Sequence, residues 1–79
     1  MNPSDIQQQL KREPFVPFRV VMNNGQTLEI RHPELVQLTR TALFVFEPSA
    51  DDTAIAEELA AICSLRNIST LEPLPGRAA

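Results

Sequence analysis

The sequence is poor in the residues that cross-link small folds or carry specialised chemistry. Its 79 residues include one cysteine, Cys63, one histidine, His32, two glycines and no tryptophan or tyrosine. A single cysteine excludes an internal disulfide framework, and two glycines exclude the usual Gly-rich phosphate loops. A single histidine excludes a multi-histidine metal site. The chain is long enough for one small domain, whose stability we expect to be marginal or shared with a partner.

Long apolar runs are also lacking, and basic residues are few. No run approaches the roughly 18 apolar residues that span a bilayer, and residues 1–9 do not resemble a signal peptide. We therefore expect a soluble, cytoplasmic protein with no membrane partner. The formal net charge is -3, and residues 41–79 carry two basic side chains against six acidic ones. Nucleic-acid binders usually present a basic stripe, so this distribution counts against a dedicated RNA or DNA binder.

The patterns that are present predict one domain over residues 1–79. An N-terminal helix is expected in residues 1–13, with capping residues at its start and Pro14 beyond its end. A β core is expected in residues 14–73, followed by a frayed tail in residues 74–79. The sequence contains no repeat and no low-complexity tract.

A β-hairpin is the clearest local signal. Asn24 and Gly25 separate two extended segments, residues 15–22 and residues 27–31. Asn-Gly supplies the two positive φ angles of a type I′ turn, so this pair should form the tip between paired strands. In the second segment apolar and polar residues alternate, which predicts one buried and one wet face.

The later part of the chain is less uniform. His32-Pro33-Glu34 interrupts the extended pattern, and the apolar run of residues 42–46 predicts a buried strand. Residues 53–65 are ambiguous because apolar residues there fit both a helical stripe and strand alternation, although local propensity favours a helix. The residues concerned are Ile55, Leu59, Ala61, Ile62, Cys63 and Leu65.

Several segments resemble known families. The hairpin of residues 15–31, the following His-Pro-Glu junction, Ser64-Leu65 and the C-terminal Ile-Ser-Thr-Leu-Glu-Pro-Leu of residues 68–74 resemble a family of short, functionally uncharacterised bacterial proteins. More distantly, Lys11-Arg12-Glu13, the Asn-Gly hairpin and Ile68-Ser69-Thr70 before Pro73 resemble the Hfq family of bacterial Sm-like RNA chaperones.

The second resemblance implies a fold. It implies a mostly β protein, a small, strongly bent five-stranded antiparallel sheet or barrel (Sm-like) with a short N-terminal helix. It also implies a strand over residues 57–64, a single turn over 65–67 and a last strand over 68–72. On this interpretation the tertiary context overrides the helix propensity of residues 53–63.

The same resemblance carries an RNA-binding alternative. In the Hfq family a Lys-His pair precedes the Ile-Ser-Thr element by one residue and helps to bind uridine, and Leu65 and Arg66 align with that pair. The RNA contacts that this alternative implies are Gln8, Arg12, Phe44 and Arg66. The glycine that bends the second Sm strand is replaced, since Ile30 stands near that position.

The chemically versatile residues have structural interpretations that outweigh the functional ones. We expect the His32 ring to brace a strand junction by bonding a backbone carbonyl or Glu34. We expect Cys63 to be an inert buried thiol rather than the nucleophile of a Cys-His pair. Adjacent carboxylates such as Glu57-Glu58 point apart in a strand or loop and are expected to be solvated.

Two further groups could form surfaces. The four phenylalanines, Phe15, Phe18, Phe44 and Phe46, are expected to pack in the core rather than to stack on nucleobases. Arg19, Arg31 and Arg40 are expected to form a cross-strand ladder with Glu29 or Glu34 that keeps the sheet soluble.

The sequence therefore predicts a non-enzymatic oligomerisation or protein-interaction module with no cofactor and no metal. Exposed strand edges would bind a second copy of the chain, giving a homo-oligomer, or another protein. The expected contact elements are residues 42–46, taken as an edge strand, and the strand before Cys63. DNA is not expected as a partner, and an Sm-like RNA-binding protein is the alternative.

Overall fold

A computed structural model describes residues 1–52 and 55–74, and this part of the chain contains one helix and six strands. Two 3-10 turns interrupt the strands, at Pro33–Leu35 and Leu65–Asn67. The helix and strands are α1 (Pro3–Leu10), β1 (Phe18–Met22), β2 (Thr27–Ile30), β3 (Val36–Leu38), β4 (Ala42–Pro48), β5 (Ala56–Ser64) and β6 (Ile68–Pro73).

The strands form two antiparallel sheets of three strands each. Sheet I has the order β2-β1-β6, and sheet II has the order β3-β4-β5. The predicted mostly β fold with a short N-terminal helix is confirmed. The described residues do not form one five-stranded sheet or a closed barrel. The Pro33–Leu35 turn separates β2 from β3, and these strands lie in different sheets.

Helix α1 begins and ends where local signals predict. The Asn2 side chain accepts a hydrogen bond from the Ser4 backbone N–H at 3.0 Å, which satisfies one free donor of the first turn. The helix ends at Leu10, before Pro14. Ile6 is fully buried and joins the core. Docking of this side chain stabilises a helix of 8 residues that would be marginal alone.

The β1–β2 hairpin is present, but its turn differs from the predicted one. Val21 pairs with Thr27, and the Met22 N–H donates to the Gln26 carbonyl at 2.8 Å, so the loop has three residues rather than two. Gly25 has a φ of 90°, whereas Asn24 has a negative φ. A three-residue loop with glycine in the left-handed position needs only one positive φ, so the predicted type I′ turn is wrong.

Strand β5 resolves the ambiguity of residues 53–63. The strand over residues 57–64 is confirmed and runs from Ala56 to Ser64, and the helix is wrong. Residues 53–54 lie outside the described residues. The register with β4 shifts between the pairs Val45↔Ala61 and Phe46↔Leu59. A bulge adds one residue to β5, and this produces the three-residue apolar spacing that imitates a helix.

One core joins both sheets and the helix. The Leu65–Asn67 turn connects β5 in sheet II to β6 in sheet I, and the N–H of Leu65 donates to the Thr41 carbonyl at 2.9 Å. The Leu74 N–H donates to the Pro17 carbonyl at 3.0 Å, while the rest of the predicted frayed tail, residues 75–79, lies outside the described residues. The clustered buried side chains are those of Ile6, Phe18, Val20, Ile30, Leu43, Val45, Cys63, Leu65 and Ile68.

Candidate interaction surface

The expected contact element at residues 42–46 is not an edge strand. It belongs to β4, which pairs with β3 on one side and β5 on the other. The mistake arises because an apolar run reveals burial but not the order of strands in a sheet. The edge lies instead on β5, the strand before Cys63. Within residues 1–52 and 55–74, β5 pairs only with β4, so its other row of backbone N–H and C=O groups has no strand partner.

Large apolar side chains occupy the outer face of sheet II. Leu43, Val45 and Cys63 are buried in the core, so the alternate β4 positions, Phe44 and Phe46, belong to the opposite face. Both phenylalanines are half-buried, and the expectation that they pack in the core is wrong. That expectation holds for Phe18, which is buried, and for the half-buried Phe15, whose ring is 6.2 Å from that of Phe18.

Strand β5 extends this apolar face to the free edge. Ile62 is opposite Phe44, and Leu59 is opposite Phe46 across the bulge, so all four side chains share the outer face. Ile62 is 59% exposed and Leu59 is 45% exposed, and Ile55 just before the strand is 57% exposed. We call Phe44, Phe46, Leu59 and Ile62 the outer patch. Sequence patterning did not find it, because the bulge that brings Leu59 and Ile62 together leaves no periodic signal.

The loop end of sheet II is acidic. Glu47 and Glu58 are directly opposite each other in the β4–β5 ladder, and like charges in that position are destabilising. Glu57 and Asp51 are exposed nearby in the chain. In the part of the chain that the structure describes, none of these four carboxylates forms an ion pair. Residues 41–65 contain no lysine, arginine or histidine to neutralise them.

In sheet I, by contrast, the carboxylates are paired with arginine side chains. The Arg19 guanidinium lies 3.3 Å from a Glu72 carboxylate oxygen and 3.9 Å from a Glu29 carboxylate oxygen. Arg31 lies 2.9 Å from Glu29. Arg31 and Glu29 are only two residues apart in the chain, so their pair does not join two strands. The predicted cross-strand ladder is therefore confirmed for Arg19. Arg40 takes no part in it.

His32 lies at the strand junction but does not brace it through its ring. Its backbone carbonyl accepts a hydrogen bond from the Leu35 N–H at 3.0 Å, which closes the 3-10 turn. Across the described ranges no hydrogen bond to the imidazole is present, so the expected bond to a backbone carbonyl or Glu34 is wrong. His32 is half-buried and lines a cleft of about 340 Å³ between β2 and β4, whose walls include Ile30 and Val45.

Cys63 is a buried component of the core. Only 6% of the residue is exposed, and burial raises the pKa of the Cys63 thiol. A raised pKa disfavours the thiolate, which is the nucleophilic form. The predicted inert character is therefore supported by its environment. Among residues 1–52 and 55–74 no group of three or more His, Cys, Asp and Glu side chains could hold a metal ion.

A basic depression lies at the other end of sheet II. Arg66, in the 3-10 turn after β5, lines it with Arg40, which precedes β4. The depression has a volume of about 520 Å³, and the Met1 ammonium at its wall donates to the Leu65 carbonyl at 3.0 Å. Antiparallel pairing of Ala42 with Ser64 brings these flanking residues together.

The other residues of the RNA-binding alternative do not line this depression. Gln8 is exposed on α1, Arg12 is exposed beyond its end, and Phe44 is half-buried on β4. Sequence reasoning missed Arg40, although the pairing of β4 with β5 could have suggested it. Because β4 and β5 are antiparallel, the residues that follow β5 lie beside the residues that precede β4.

Comparison of the chain with protein-family models, with curated proteins and with solved structures finds no match. No helix in the described residues has the length and apolar character needed to cross a membrane.

Proposed function

We propose that this chain is a non-enzymatic association module whose free β5 edge binds another polypeptide, either a second copy or a different protein. The observation that carries the proposal is the coincidence of an unpaired edge strand of 9 residues with the exposed side chains of Leu59 and Ile62. Edge strands in soluble proteins are normally short, charged or covered, because a long apolar edge invites pairing.

Strand addition gives this edge a mechanism. An extended segment placed beside β5 would pair with its unsatisfied backbone groups and would cover part of the outer patch. The resulting hydrogen bonds hold the segment, whereas side-chain contacts with Leu59 and Ile62 select it. The small core gives a second reason for association, since a partner that binds only the folded state stabilises it.

The experiment combines the mass of the chain in solution with the binding of nine-residue peptides that match the length of β5. The peptides alternate valine with lysine, threonine or glutamate. We expect self-association at tens of micromolar or binding of at least one peptide, with protection of β5 amides from hydrogen exchange. A monomeric chain that binds none of the three would overturn the proposal.

Ile62→Lys is the matched disruption. The side chain is mostly exposed, so the variant should fold while placing a charge in the outer patch. We expect it to abolish the association. Thr27→Lys, an exposed substitution on the edge strand β2, should leave the association intact. Equal loss in both variants would remove β5 as the binding edge.

RNA binding is a second candidate function, favoured by the depression that Arg40 and Arg66 share. The order of strands and the 3-10 turn before β6 also support an Sm-like build as part of this candidate. Uridine-rich RNA should bind at low salt, with affinity that falls steeply as salt rises. Arg66→Ala should weaken binding, whereas Arg12→Ala, outside the depression, should change it less. Absence of binding at low salt would exclude this function.

A further inference from the structure

Many extended segments could pair with the free edge of β5 and cover the outer patch. The acidic side chains beside this edge limit which segments can bind. Glu57 and Glu58 lie within β5, and Glu47 lies opposite Glu58. A strand added to β5 would bring its side chains next to Glu57 and Glu58, as close as cross-strand neighbours, with Glu47 one strand further away. Acidic side chains on the added strand would therefore be repelled, and basic side chains would be attracted.

Within residues 1–52 and 55–74, a second copy of this chain offers no unpaired basic residue on an edge strand. The two edge strands of sheet I are β2 and β6. Arg31, directly after β2, is already paired with Glu29, and β6 carries the acidic residue Glu72. Strand β3, the other edge of sheet II, contains no charged residue. In the described ranges the basic residues without an ion pair lie at the end of α1 and in turns: Lys11, Arg12, Arg40 and Arg66.

We propose that the free edge of β5 binds an extended segment of a different protein in which basic residues alternate with apolar ones. The apolar residues would cover Leu59 and Ile62, and the basic residues would neutralise the carboxylates of the loop end. This inference rests on the proposed association through β5 and names the chemistry of the partner. Electrostatic complementarity of this kind selects partners and accelerates encounter more than it raises affinity.

The basic, neutral and acidic nine-residue peptides test the inference directly. We expect the valine–lysine peptide to bind about tenfold more tightly than the valine–threonine peptide, because several exposed charge pairs each contribute a few-fold. The valine–glutamate peptide should bind most weakly. A lysine-only peptide of the same length, which lacks apolar side chains, should bind more weakly than the valine–lysine peptide.

Charge-neutral variants locate the attraction. Glu57→Gln combined with Glu58→Gln should weaken binding of the valine–lysine peptide roughly twofold to tenfold, since each exposed charge pair is worth about 1.4-fold to fivefold and the whole preference for lysine is about tenfold. The matched control combines Glu13→Gln with Glu34→Gln, which removes the same number of charges from exposed sites outside β5. Binding to this control should be nearly unchanged, and equal weakening in the two double variants would overturn the inference as non-specific attraction.

Salt separates the two contributions to binding. The Debye length falls from about 30 Å at 0.01 M to about 10 Å at 0.1 M ionic strength, so exposed charge pairs are progressively screened. The affinity for the valine–lysine peptide should fall over this range, whereas that for the valine–threonine peptide should stay constant. A salt-independent preference for lysine would contradict the charge argument.

Failure of this inference is distinguishable from failure of the proposed function. If the neutral or acidic peptide binds β5 as tightly as the basic one, or if the chain self-associates through β5, the edge still functions in association but the basic partner is wrong. If no peptide binds and the chain is monomeric, both fail.

Discussion

Sheet I and sheet II share one hydrophobic core but differ in their charges and in their edges. In sheet I the carboxylates of Glu29 and Glu72 lie beside Arg19, and a three-residue turn closes the β1–β2 hairpin. In sheet II Glu47 and Glu58 face each other, and the long edge strand exposes apolar side chains. A long edge strand that exposes apolar side chains invites pairing, so sheet II has the surface of an unpaired element.

The largest change in the free energy of unfolding is expected for a substitution in the shared core, and a much smaller one for a substitution in the outer patch. Leu43 is fully buried at the centre of sheet II, whereas Leu59 is 45% exposed at its edge. Leu43→Ala should lower the free energy of unfolding by about 2–5 kcal/mol, because it removes buried surface and leaves a cavity. Leu59→Ala should cost less than about 1 kcal/mol in the isolated chain. Urea denaturation of both variants measures this, and similar losses would contradict an exposed patch.

Local signals explain why much of the fold was predictable. Capping at Asn2 and the position of Pro14 set the limits of α1, and Asn24-Gly25 located the first hairpin. The strand over residues 57–64 did not follow from propensity, since tertiary pairing with β4 outweighs the helix preference of its alanines and glutamates.

The surface of sheet II was not predictable in the same way. The outer patch depends on a bulge between Ala61 and Leu59, and the edge depends on which strands are neighbours. Both are properties of non-local pairing, which a single sequence does not display. The basic depression was partly predictable, because the proximity of Arg40 and Arg66 follows once the pairing of β4 with β5 is known.

A smaller loss of stability is expected for substitutions in the tight turn of sheet I. Gly25 has a φ of 90° and open space around its Cα, so strain rather than collision limits substitution there. Gly25→Ala should lower the free energy of unfolding by about 1–2 kcal/mol. Gly25→Asn should cost less, because asparagine tolerates the left-handed region better. Thermal denaturation of the pair checks this, and equal stability of the alanine variant and the parent would show that the turn adopts another conformation.

The smallest effects have opposite signs in the two sheets. Glu72→Gln removes an exposed ion pair from sheet I and should lower the free energy of unfolding by about 0.2–1 kcal/mol at low salt. Glu58→Gln relieves the repulsion from Glu47 in sheet II and should raise stability by a similar or smaller amount. Both changes should shrink at high salt. Urea denaturation at two salt concentrations measures them, and effects of the same sign would remove the electrostatic difference between the sheets.

Amide hydrogen exchange along β5 shows directly whether the free edge of this strand binds an added segment. The chain is measured alone and with the nine-residue valine–lysine peptide, at a concentration where light scattering shows the free chain to be monomeric. We expect that outward-facing amides between Ala56 and Ser64 exchange rapidly in the free chain and become protected with the peptide, while amides of β2 and β6 are unchanged. Protection that is confined to β2 or β6, or that is absent from β5, would contradict this expectation.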